Sequence, residues 1–240
     1  MYAIFLKELR DSRTLFWCML ANMGAALLLP TDFGQLWAVF LGYFIVPMFC
    51  SYMGSRILSA DVSDEQLPFI LTLPMSRGHL WLARATAGGT LTVITSLCCI
   101  AMTFTLFSTP YSSFELGLCA LILIAYLLIY AIAASLSVVF DRPLTAAFLA
   151  YTLGVLGTMV HIMALESRWS RPLRLWQHQT VGTTGVLMGA FVLALLAGSF
   201  WVFRTADLLD RKDSTRCALR ALVWAVFGVE SVYWIWLLTR

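Results

Sequence analysis

The sequence predicts an all-α fold: a polytopic membrane helix bundle of six core transmembrane helices and a seventh. A short helix lies between the second and third spans, and an interfacial helix opens the chain. Three observations carry this. The 240-residue chain is 60% hydrophobic and only 12% charged, whereas a soluble domain is nearer half apolar and a quarter charged. Its mean hydropathy is +0.83, and a soluble core of this size could not enclose so much apolar surface. Finally, the apolar residues fall into seven runs, and about 20 helical residues suffice to cross roughly 30 Å of hydrocarbon.

The runs cover residues 14–30, 35–55, 85–107, 114–140, 143–165, 180–203 and 218–238. The first is short, and its charged leader includes Glu8 and Asp11 without a small-residue cleavage site, so it reads as a retained span. Pro47 predicts a kink in the second. Arg220 and Glu230 interrupt the last, which is the extra span beyond the core six. The connections are short, so successive spans are antiparallel neighbours within one domain of residues 1–240.

The net charge of +3 does not point to nucleic acid, but the placement of the cations sets orientation. With the N-terminus in the cytoplasm, Lys7, Arg10, Arg13, Arg56, Arg77, Arg84, Arg142, Arg204, Arg211, Lys212, Arg216 and Arg220 lie inside. Only Arg168, Arg171, Arg174 and Arg240 lie outside. The expected location is a plasma membrane, the bacterial inner membrane, crossed several times. The six cysteines show no C-x-x-C spacing and read as small apolar packing residues.

Residues 1–13 place Ile4, Phe5 and Leu9 against Lys7, Arg10, Asp11 and Arg13 on the other face. That pattern suits an interfacial helix, or simply a charged flank of the first span. Residues 166–179 repeat the theme on the outer side. Trp169, Leu173 and Trp176 share one helical face, and Arg168, Arg171 and Arg174 another. This is an outer interfacial segment, an anchor or a contact for anionic headgroups or acidic cargo. His161 and Glu230 are intramembrane polar residues, expensive in lipid and expected to face protein or water. The third run holds Thr86, Gly88, Gly89, Thr90, Thr92, Thr95 and Ser96, small groups that favour close helix contact or line a path.

The segment 61–84, "DVSDEQLPFILTLPMSRGHLWLAR", is too polar for a span and too apolar for a loop. Ser63 with Gln66 has capping-box spacing. A start at Asp64 or Glu65 instead puts Pro68 in the first turn, where proline is tolerated. Leu67, Ile70 and Leu71 then share one face, with Phe69 and Leu73 beside them, and Pro74 ends the helix. Ser76 caps a second helix that continues into the third span. The product is a short apolar helix and a stiff corner on the cytoplasmic side, packed under the bundle or docked into a partner.

This pattern resembles the first cytoplasmic loop of type-2 ABC exporter permeases: an acid, then Leu-x-x-Leu-x-x-Leu-Pro-x-Ser-Arg, then a later cation. Glu65, Leu67, Ile70, Leu73, Pro74, Ser76, Arg77 and Arg84 match it. Lys7, Glu8 and Leu9 are similar to the family's Lys-Glu-Leu start, and "FRTADLLDRKD" to its cytoplasmic ending. Gln66 stands where the family usually has glycine, and the family usually ends after six spans.

The resemblance implies a transport permease, an exporter subunit rather than an enzyme. It would work with two copies of a separate ABC ATPase subunit and a second permease subunit, a homodimer mate or a sister chain, among membrane lipids. The short helix would be the coupling helix, seated on the ATPase through Glu65, Leu67, Ile70, Leu71, Leu73, Pro74, Ser76 and Arg77. ATP and magnesium would sit on the partner, because this chain has no G-x-x-x-x-G-K-[ST] run. No cofactor, catalytic residue or metal site is expected in this chain. The alternatives are a haem-export permease of the cytochrome maturation type, a membrane-embedded enzyme acting on lipids, and a structural or sensory membrane protein. The second lacks an aspartate-rich D-D-x-x-D run or H-E-x-x-H.

Overall fold

The computed structural model describes residues 2–57, 76–107, 113–140, 142–154, 174–205 and 214–239, and they are helical almost throughout. α1, Tyr2–Leu28, contains no proline and stops just before Pro30. α2, Thr31–Ser55, starts behind that proline and carries Asp32 in its first turn, where an acid complements the positive helix end. α3 is Arg77–Phe107, α4 is Ser113–Val139, α5 is Pro143–Gly154, α6 is Arg174–Thr205 and α7 is Ser214–Thr239. α5 opens on proline, which has no amide hydrogen to waste at a first helical position.

Each predicted apolar run coincides with one of these helices over its described part. Among the described residues, four stretches are long and apolar enough to cross a membrane: Thr31–Ser55, Arg77–Phe107, Cys119–Val139 and Gly182–Thr205. α1 runs unbroken through residues 2–13 into the first apolar run, because nothing in that stretch breaks a helix.

Successive helices are antiparallel. Gln35 at the start of α2 donates to the Leu106 carbonyl at the end of α3, 3.0 Å away. At the opposite end, Arg84 near the start of α3 donates to Ile57, just past α2. The Tyr130 hydroxyl, late in α4, donates to the Ala85 carbonyl at 2.7 Å. Ser135 donates to Leu195 of α6, and Gly198 of α6 lies against Leu219 and Leu222 of α7. The starts of α1, α3, α5 and α7 therefore meet the ends of α2, α4 and α6. That shared end carries Lys7, Arg10, Arg13, Arg56, Arg77, Arg84, Arg142, Arg204 and Arg220.

α4 is the central element, and every residue from 128 to 139 is buried. Its "YAIAASLS" run is rich in Ala and Ser, and small side chains let helix backbones approach without a hydrophobic driving force. A Cβ on Gly54 of α2 would collide with the Tyr130 carbonyl oxygen and the Ala133 side chain, so only glycine permits this crossing. One core cluster joins α1, α2, α3 and α4 around Met19, Phe49, Met53 and Tyr130 and includes Val202 and Phe203 of α6 and Leu219 of α7. The other joins α4, α5, α6 and α7 around Leu136, Ala146, Leu195 and Val223. Large apolar side chains such as Phe33, Leu36, Met48, Phe148, Leu193 and Trp224 face outward. In a bilayer these contact lipid.

Candidate functional site

Basic side chains gather at one end of the bundle, and one of them is buried. α1 turns Ile4, Glu8, Ser12, Phe16, Met19, Met23 and Ala26 toward its neighbours at helical spacing. Glu8 and Ser12 thereby face α2 and α3. On α3, Leu80, Trp81, Ala83, Arg84, Ala87 and Gly88 are buried. Arg84 Nε lies 3.2 Å from Glu8 Oε1, with side-chain exposures of 8% and 17%. Arg84 Nη1 also donates to the Ile57 carbonyl at 3.0 Å.

That second bond gives the carbonyl of the buried Ile57 a charged donor. Arg84 thus ties the beginning of α1, the end of α2 and the beginning of α3 together. Arg56 reinforces the junction. Its Nη1 donates to Ser12 Oγ at 3.1 Å, and its guanidinium lies 5.8 Å from the Tyr52 ring centroid. Glu8, Ser12, Met53, Arg56, Ile57, Arg84, Ala87, Gly88 and Leu91 line a small recess here. Gly88 keeps Tyr130 close: a Cβ there would sit 3.1 Å from the tyrosine ring and hydroxyl.

The other flank of α3 is held by packing. Trp81 is buried and meets Phe200 of α6 edge-on, with ring centroids 5.4 Å apart. Gly78 lies beneath the same Phe200 ring. Ser76 caps α3 as its sequence position predicts: its Oγ accepts from the His79 amide at 3.3 Å, and its carbonyl accepts from Leu80. Ser76 Oγ also lies 2.6 Å from His79 Nδ1. A little further round the end, Arg220 of α7 lies over the Phe140 ring and reaches toward the Val139 carbonyl, the negative end of α4.

Glu65, Leu67, Ile70, Leu71, Leu73 and Pro74 lie outside the described residues, but both ends of their segment are fixed. The described residues that flank it are Ile57, bonded by Arg84, and Ser76, the cap of α3. Arg77 is the first residue of α3 and is half-buried. His161, Arg168, Trp169 and Arg171 also lie outside. Arg174 and Trp176 fall on the opening turn of α6, and Glu230 on the second half of α7.

The polar residues of the third run divide by face. Thr86 and Thr90 point outward and bond back to the Leu82 and Thr86 carbonyls at 2.7 Å. Thr92, Thr95 and Ser96 are fully buried against the neighbouring helices. Among the described residues there is no group of three His, Cys, Asp or Glu side chains able to hold a metal ion.

Comparison with known proteins finds no matching family, no matching curated relative and no matching solved structure.

The pairing of Glu8 with Arg84 is the feature that the sequence reading missed. Each residue stands in its own motif. The signal was an arginine flanked by apolar and small residues in "LWLARATAGG", paired with an acid on the inward stripe of α1.

Proposed function

We propose that this chain is the membrane-spanning permease subunit of an ATP-driven transporter of the ABC type, working as an exporter. The basic end faces the cytoplasm and the membrane is the bacterial inner membrane. The segment between Ile57 and Ser76 is the coupling element for a separate ATPase subunit.

The observation that carries this reading is the clamping of that segment's two roots. A push on a tethered loop moves a bundle only if the loop is stiffly attached. One root, Ile57, is bound to Arg84, which is paired with Glu8. The other, Ser76, caps a helix wedged between α1 and the Phe200 ring of α6. Displacing the segment therefore loads α1, α2, α3 and α6 together. Such a load can rock packed helices between two arrangements. The concentration of cations at this end supports its cytoplasmic placement. The likeness of "EQLPFILTLPMSR" to the permease loop supports the choice of an ABC ATPase as the partner.

The experiment uses the assembled complex in lipid, with spin labels at positions 13 and 204, both exposed at the basic end. ATP shifts the label distance in the wild type. Pro74→Gly, which softens the corner, and Leu71→Glu, which charges the docking face, abolish the shift while insertion stays normal. An undiminished ATP-driven shift in both variants would refute the coupling role.

A further inference from the structure

α2 is not one uniform helix. Its outer half, Thr31–Phe40, and inner half, Val46–Ser55, are joined by a π turn over Leu41–Ile45. The amide of Val46 bonds the Leu41 carbonyl, five residues back. The next residue, Pro47, has no amide hydrogen. The Gly42 carbonyl therefore loses both ladder donors that could reach it, from Val46 and from position 47. It is served from another helix: the Tyr126 hydroxyl of α4 donates to Gly42 O at 2.8 Å. Tyr126 is 7% exposed, so no water competes freely for this carbonyl.

The two halves share α1 and α3 as neighbours, the inner end through Arg56–Ser12 and Ile57–Arg84, but the inner half also packs closely on α4. In the outer half, a Cβ on Gly34 would lie 2.7 Å from the Ala26 carbonyl of α1, and Gln35 bonds Leu106 of α3. In the inner half, Gly54 sits against Tyr130, Ala133 and Ala134 of α4. A shift of α4 that carries the inner half of α2 with it bends α2 most easily at the junction. That is where the hydrogen-bond ladder is already interrupted, and sharp changes of helix direction concentrate at prolines and π turns.

We infer that Leu41–Ile45 is a hinge within the second membrane helix, latched by the hydrogen bond from Tyr126 to the Gly42 carbonyl. With the latch closed, α2 holds the observed shape. With it open, the outer half swings relative to the inner half. The inference does not rest on the transport reading; it concerns the bundle whatever drives it.

The test is a cycle of variants in the full chain in lipid nanodiscs. Spin labels replace Leu36 and Met48, exposed positions on either side of the turn. Their backbones are roughly 18 Å apart at helical rise. Exposed Cys18 and Cys217 are replaced by serine. The wild type gives one dominant distance. Tyr126→Phe opens the latch and brings a second distance to about a tenth of the molecules or more. Pro47→Ala restores an amide that can serve the turn, so it returns the Tyr126→Phe protein to a single distance. A Tyr126→Phe distribution identical to wild type would overturn the inference. So would a second distance that persists unchanged with Pro47→Ala. Should Tyr126→Phe fail to insert, recovery of yield by Pro47→Ala supports the latch, and no recovery contradicts it.

Discussion

Glu8 and Arg84, 76 positions apart in the chain, form an ion pair at 3.2 Å with little solvent around it. The pair closes the basic end of the bundle and fixes one root of the segment proposed to receive the ATPase.

Removing one partner of such a pair leaves a buried charge uncompensated, which costs about 3–5 kcal/mol. Glu8→Gln and Arg84→Gln should each lower the thermal unfolding midpoint in lipid nanodiscs. The double variant should lose less than the sum of the two, with a coupling of about 1–3 kcal/mol. Strict additivity would show that the two charges do not depend on each other.

Gly54 and Gly88 set how closely α2 and α3 approach α4 at Tyr130. Gly54→Leu should abolish a monodisperse, folded preparation, because its Cβ meets backbone that cannot yield. Gly88→Ala should be milder, costing about 1–3 kcal/mol as an overpacked site. Its Cβ meets the tyrosine ring and hydroxyl, and the Met53 carbonyl lies 3.4 Å away. Equal effects from both substitutions would contradict this ordering.

The Ser76 hydroxyl accepts from the His79 amide at 3.3 Å, which the Ser76 carbonyl shares at 3.0 Å. Ser76→Ala should destabilise the helix start by about 1 kcal/mol, and Ser76→Asp should retain most of the cap. Hydrogen exchange at Gly78, His79 and Leu80 reads this directly: faster in the alanine variant and near wild type in the aspartate variant. Identical exchange in all three proteins would remove the cap from the account.

Periodicity and composition made the helices legible. Over their described parts the apolar runs are helical, because a lipid-length stretch has no other way to satisfy its backbone within itself. Pro47 marked a break in α2 and Ser76 marked the start of α3, both through local chemistry that acts within one turn. What one turn cannot reveal is how helices are rotated against each other. Glu8 and Arg84 stand in separate motifs, and only the packing of α1 on α3 joins them. The same holds for Tyr126. Pro47 announces that a carbonyl will lack its donor, but nothing in the chain says that a hydroxyl 84 residues away supplies one. The segment 61–75, whose sequence reads as an apolar helix before a stiff corner, lies outside the described residues.

The most direct test of the central claim is recovery of the chain from its native membrane by an affinity tag, with a photo-crosslinking residue at Leu71. An ATPase carrying a phosphate-binding loop should be recovered in comparable amount and joined covalently to position 71. A well-folded chain recovered repeatedly without such a subunit, with no crosslink from position 71, would contradict it.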